Sequence, residues 1–182
     1  MGEYFLSKEQ LDYVCKDSNT ATILNEAREV RENGIASQGV TVFLSHKHDE
    51  VAVLANAICM LKSLGIFVYV DWMDEGMPKE TCGETAQRIK QKIKECRKFI
   101  LLATEGAIAS KWCNWELGFG DAQKYPEHIA IMPITDKRRD NFSGSEYLQI
   151  YPVIKTSFEY IASGCYVEFE DKKIPLVDWL KR

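Results

Sequence analysis

Val40-Thr41-Val42-Phe43-Leu44-Ser45 is a short apolar run, rich in β-branched residues and without polar alternation. That pattern belongs to a strand buried on both faces, as in a parallel sheet. Three further runs share it: Ile66 to Val70, Lys98 to Ala103 and Ile129 to Ile134. Between them the period changes. Val51, Leu54, Ile58 and Leu61 fall on one face of a helix that ends at Gly65, and Ala86, Ile89, Ile93 and Cys96 repeat the spacing. A third helix is predicted from about Trp112 to Lys124. Strands alternating with helices through short connections predict a doubly wound α/β sheet with right-handed crossovers.

Outward from this block the chain reads differently. Ser7-Lys8-Glu9-Gln10 fits a capping box, and a second polar helix is predicted from Thr20 to Glu32, stopped by Asn33-Gly34. Residues 1–36 are thus expected to form an N-terminal helical extension, with residues 37–182 as the main domain and 33–39 as linker. After Asp136 a hairpin is expected from Tyr166 to Phe169 and Lys173 to Leu176 around Glu170-Asp171, closed by a helical turn over 177–182.

The composition sets bounds. A chain of 182 residues with 46% hydrophobic and 27% charged content is an ordinary globular domain. Its net charge of −4 argues against nucleic acid, whose phosphates demand clustered cations. The apolar runs are too short to span a bilayer, and Met1 to Phe5 lacks the basic start and apolar core of a signal peptide, so no membrane partner and a cytoplasmic address are expected. The six cysteines, at 15, 59, 82, 96, 113 and 165, include no CxxC. All six are expected to be thiols without a metal or catalytic role.

In an open parallel sheet, ligands bind beyond the carboxyl ends of the strands. Four segments fall there: 45–49, 71–78, 104–109 and the start of the helix at Trp112. None holds a Gly-rich phosphate loop, which argues against a standard dinucleotide fold or P-loop NTPase. Ser45-His46-Lys47-His48-Asp49 reads either as a helix N-terminus capped by Asp49 or Ser45, or as an anion site in which Lys47 and backbone amides hold phosphate. His-x-His alone offers no third metal ligand by spacing, and no metal is expected. Asp71-Trp72-Met73-Asp74-Glu75-Gly76-Met77-Pro78 is either a solvated acidic loop or, given Trp72, Met73 and Met77, a surface for a partner. In Ser110-Lys111-Trp112-Cys113-Asn114-Trp115-Glu116-Leu117-Gly118-Phe119-Gly120, Trp112 and Glu116 are i and i+4 and share a helix face, with Gly120 one turn on as room for a ligand. An indole beside a carboxylate suits a ring-bearing ligand with hydroxyls. The competing reading makes the tryptophans core and Glu116 a surface charge.

Phe43-Leu44-Ser45-His46, Val70-Asp71-Trp72 with Gly76, Phe99-Ile100-Leu101-Leu102 and Ser110 to Leu117 resemble, in order and spacing, the signature blocks of a TIR (Toll/interleukin-1 receptor) domain over residues 40–134. The version is that of stand-alone bacterial members that consume NAD. The resemblance implies a flavodoxin-like five-stranded parallel sheet with helices on both faces and a mobile loop after the second strand. It implies NAD as substrate rather than cofactor, with no other cofactor. Glu116 matches the family's catalytic glutamate, and Trp112 an aromatic beside the nucleotide. Ser45, His46, Lys47, His48, Asp71 and Trp72 match positions that line the pocket. Where several relatives carry arginines after the first strand, this chain has Lys47 and His48.

One carboxylate is enough for such chemistry. Ordinary glycosidases need a second carboxyl group to protonate the leaving group, whereas nicotinamide departs neutral from a cationic pyridinium. Capture of the ribosyl cation by water gives ADP-ribose, and capture by the ligand itself gives a cyclic isomer. The resemblance further implies a homo-oligomer formed through the 71–78 loop and an antiviral signal read by a separate effector. Two alternatives stay open: a non-enzymatic TIR interaction module, and a relative of nucleoside deoxyribosyltransferases.

Overall fold

Every residue of the strand Thr41–Ser45 (β2) is buried, and its side chains divide between two cores. Val42 and Leu44 join one cluster and Phe43 the other. The next-but-one strand, Lys98–Ala103 (β4), alternates the same way: Ile100 and Leu102 on the first face, Phe99, Leu101 and Ala103 on the second. This split is what an apolar run without alternation requires, since helices must cover both faces.

The computed structural model describes residues 4–25, 40–71, 82–137, 141–142, 144–157 and 164–182. Its elements follow in chain order. They are β1 (Leu6–Ser7), α1 (Lys8–Val14), β2, α2 (Val51–Ser63), β3 (Phe67–Tyr69), α3 (Gly83–Glu95), β4, α4 (Glu105–Ala109) and α5 (Lys111–Gln123). After these come β5 (Ile129–Thr135), β6 (Val153–Thr156), β7 (Cys165–Phe169), β8 (Lys172–Pro175) and α6 (Leu176–Lys181). Residues 20–25 are also helical. The expected stop at Asn33-Gly34, the 33–39 linker and the segment 72–78 lie outside the described residues.

The sheet runs β3-β2-β4-β5-β6-β7-β8, parallel from β3 to β6 and antiparallel from β6 onward. Its five parallel strands are the expected flavodoxin-like order, with the reversal of direction at β2 and β4. The sheet is larger than five strands. The β7–β8 hairpin extends one edge, and β1 pairs with the end of β5 through Leu6↔Ile134 and Ser7↔Thr135. Glu170 and Asp171 both take positive φ (47° and 63°), the geometry of a two-residue hairpin turn whose twist matches its strands.

α2 covers the first face with Leu54, Ala57, Ile58 and Leu61. α3 and α5 cover the second with Ile89, Ile93, Cys113 and Leu117. The N-terminal segment is tied into the first face, where Leu6, Leu11 and Ile23 are buried. Ser7 forms the capping box of α1: its Oγ accepts from the Gln10 amide at 3.3 Å, and its own amide donates to Gln10 Oε1 at 3.0 Å. The expectation of six thiols is corrected. α1 packs on α2 and brings Cys15 against Cys59, which form a disulfide with Cα atoms 6.2 Å apart. Cys82, Cys96, Cys113 and Cys165 are free. The pairing joins residues 44 apart, and no spacing rule announces it. Among the described residues no helix is long and apolar enough to cross a membrane.

Candidate active site

β2 and β3 pair with Phe43 opposite Tyr69, so the residues two further on, Ser45 and Asp71, emerge together at the carboxyl end of the sheet. Ser45 is buried and does not cap α2. Its Oγ donates to Glu116 Oε2 at 2.5 Å. Asp49 does not cap that helix either: it is exposed, 3.9 Å from the Lys47 ammonium. The N-cap of α2 is Glu50, with no side-chain cap bond.

Glu116 is presented by α5, which starts cleanly because Ser110 Oγ accepts from the Cys113 amide at 3.3 Å. Its carboxylate is 2% exposed, which excludes the surface-charge reading. Burial, and then the nearby Asp71 charge, push it well above the usual carboxylate range, while the Ser45 bond pulls the other way. A buried carboxylate with one hydroxyl donor is poised to ionise when a positive charge arrives.

Asp71 is itself buried, and its Oδ2 lies 3.2 Å from His48 Nε2. This contact raises the half-exposed His48 above the usual imidazole range. His46 behaves in the opposite way. It is buried with Nδ1 2.9 Å from the Leu44 carbonyl, and burial lowers its pKa. Cys113 Sγ donates to the His46 carbonyl at 3.2 Å and fixes the start of α5 on the loop after β2. Burial pushes this thiol up to about 11, so it stays a neutral packing group.

The structure therefore gathers Ser45, His46, His48, Asp71 and Glu116 at one sheet end. Lys47 lies to the side, its Cγ 3.4 Å from where a Cβ on Gly106 would stand. Trp112 is half-buried and stacks on Trp115, centroids 5.0 Å apart, with Phe119 continuing the ladder 6.2 Å beyond Trp115. Trp72 is outside the described residues. Gly120 corrects one expectation: a Cβ there would meet Phe99 Cδ2 at 3.2 Å, so the glycine lets α5 approach β4 and makes no room for a ligand.

A second polar group escapes a reading by motif. Glu50 Oε2 accepts from Thr104 Oγ1 at 2.5 Å, and its Oε1 would stand 3.0 Å from a Cβ on Gly106. The pair stitches the start of α2 to the end of β4 beside a cavity of about 270 Å³ that Lys8, Glu105 and Asp136 also line. Thr104 also caps α4, its Oγ1 accepting from the Ala107 amide at 3.0 Å. Its partner, 54 residues away, carries no local mark.

Comparison with known proteins finds a family and a relative. A probable 3′ cyclic ADP-D-ribose synthase, ThsB′ of Bacillus cereus, is 28% identical over 136 residues, 73% of this chain. The match spans 66% of that relative, just under two thirds of its length. The family model described as TIR domain matches residues 42–159, from β2 through the end of β6. With a model match over more than half its length, the chain belongs to the TIR domain family.

Proposed function

We propose that this TIR protein cleaves the nicotinamide–ribose bond of NAD, releasing nicotinamide and ADP-ribose or a cyclic isomer of it. The observation that carries the reading is the buried Glu116 carboxylate, held by Ser45 at the carboxyl end of the parallel strands. The pyridinium of NAD is a fixed cation. Bound near Glu116, it favours the ionised carboxylate, which then opposes the positive charge that grows on the ribose as the bond breaks. Nicotinamide leaves neutral, so a second acid is unnecessary. Cyclisation is favoured over hydrolysis by the name of the relative and by Trp112, an aromatic on which adenine can stack so that the ligand folds back. Lys47 and the amides after β2 are assigned to the pyrophosphate. The segment 71–78 is assigned to contacts between copies of the chain, and the product to a separate effector in cytoplasmic antiviral signalling.

The test is product chromatography after incubation with NAD and, separately, with deoxynucleosides. Nicotinamide release that falls about a hundred- to a thousand-fold in Glu116→Gln supports the reading. Release at the parental rate by a folded Glu116→Gln protein overturns it. Base exchange on deoxynucleosides points instead to a deoxyribosyltransferase, and inertness at high protein concentration points to an interaction module.

A further inference from the structure

His46-Lys47-His48 offers two imidazoles but no third ligand nearby in sequence. The fold supplies one. Asp71, from the neighbouring strand, joins them so that one donor atom from each of the three side chains lies within 4.8 Å of the others. His48 Nε2 and Asp71 Oδ2 are 3.2 Å apart. Two donors bound to one tetrahedral zinc at about 2.0–2.1 Å lie about 3.3 Å apart, so this pair already has the required separation. A second observation concerns the buried member of the trio. The His46 Nδ1 sits 2.9 Å from the Leu44 carbonyl, which holds the ring proton there. Nε2 is then left as a lone pair, buried and without a hydrogen-bond partner. A carbonyl that fixes one imidazole nitrogen and leaves the other bare is the arrangement of a metal-binding histidine.

We propose that His46, His48 and Asp71 form a site for a divalent transition metal, zinc by its donor set, beside the Ser45–Glu116 pair. Two imidazoles and a carboxylate select zinc over magnesium or calcium, which prefer all-oxygen shells. His48 and Asp71 already stand at the required separation, so closing the trio by up to about 1.5 Å is a shift of this pair towards His46, whose ring comes within 4.0 Å of Asp71 Oδ1 at Nδ1. The metal takes three protein ligands and keeps a fourth position open. It also places positive charge where the pyridinium of NAD is assigned, so zinc inhibits cleavage. That consequence rests on the proposed function; the binding itself does not.

The experiment uses the full chain stripped of metal and titrated with Co²⁺, read by its visible absorption, and with Zn²⁺, read by calorimetry. One equivalent is expected to bind. Affinity should fall about tenfold or more in His48→Ala and in Asp71→Asn. It should hold in His128→Ala, which removes the remaining histidine, and in Cys82→Ser, which removes the exposed thiol. If Asp71→Asn does not fold by circular dichroism, the half-exposed His48 position decides. Parental affinity in His48→Ala, or loss of uptake in Cys82→Ser, overturns the site. Because the titration needs no NAD, a parent chain that binds the metal and leaves NAD intact upholds this site and overturns the proposed function instead. With an active parent, His48→Ala should need about tenfold more zinc for half-inhibition.

Discussion

Ser45 Oγ and Glu116 Oε2 meet at 2.5 Å across 71 residues of chain. The hydroxyl donates to the ionised carboxylate and so favours that form against burial and the Asp71 charge. Ser45→Ala leaves those two effects unopposed. The acid limb of kcat/KM, which reports the free protein, should therefore move to higher pH in metal-free buffer. At a fixed pH below that limb the rate falls, and near the alkaline plateau the variant approaches the parent. An unmoved limb would show that the hydroxyl does not serve the ionised carboxylate.

The same burial predicts that Glu116 lowers stability. Its folded pKa lies well above the ordinary 4.5, so between those values the folded chain holds a proton that the unfolded chain has lost. Stability must fall as pH rises through that window and stay reduced above it. Glu116→Gln escapes the penalty. Its melting temperature should exceed the parent's at pH 8, and the gap should close below about pH 4.5, where both side chains are neutral. A variant less stable than the parent at pH 8 would mean that the carboxylate makes compensating contacts.

How much of this was legible depends on whether a feature is local in sequence. The strand runs, the helix faces, the Ser7 capping box and the Glu170-Asp171 turn are local patterns, and each element forms where its pattern lies. Trp112 and Glu116 are likewise placed by helix spacing. The Cys15–Cys59 pair, the Glu50–Thr104 bond and the meeting of Asp71 with His48 join residues 44, 54 and 23 apart. Only the sheet order and helix packing decide such pairs. Gly120 was misread for a similar reason: a helix pattern shows which face a glycine lies on but not what fills the space opposite.

That glycine has a control two residues away. Gly118 is exposed on α5 and a Cβ there meets nothing within 4 Å, so Gly118→Ala should stabilise by about 0.5–1 kcal/mol through helix propensity. At Gly120 the new methyl would press on Phe99, which is buried and stacked on Phe43 with centroids 5.5 Å apart. Overpacking of that kind costs about 1–3 kcal/mol and should outweigh the propensity gain. Chemical denaturation should therefore move the two variants in opposite directions. Equal stabilisation of both would mean that Phe99 yields freely.

The assignment of residues 71–78 to contacts between copies rests on three large apolar side chains in a polar segment, Trp72, Met73 and Met77. A double variant, Trp72→Ser with Met77→Ser, should lose specific activity most at low protein concentration and melt within a degree or two of the parent. Specific activity independent of concentration in both proteins counts against it.

At the opposite end of the sheet Lys98 is 1% exposed, with its ammonium 4.5 Å from the centre of the Trp179 ring. Lys98 Nζ and Trp179 Nε1 both donate to the Glu127 carbonyl, at 3.4 and 2.8 Å. Burial, followed by the charge of Arg97, lowers the ammonium from 10.5 to about 8. The sign of the linkage is fixed by this depression. Between pH 8 and 10.5 the unfolded chain holds the lysine proton and the folded chain does not, so stability rises with pH across that window. Below pH 8 the folded protein bears the full cost of the buried charge, on the order of 3 kcal/mol at most. Lys98→Met removes the cost but also the contact with the Trp179 ring, worth about 0.5–2 kcal/mol. The variant should thus be more stable than the parent at pH 7, by about 1–2 kcal/mol, and should lose that lead as pH approaches 10. Urea denaturation of both proteins at several pH values gives the difference directly, which cancels the other groups that titrate in this range. A difference that stays flat from pH 7 to 10 would show that the ammonium carries no penalty, and that the Trp179 face and the Glu127 carbonyl solvate it as well as water does.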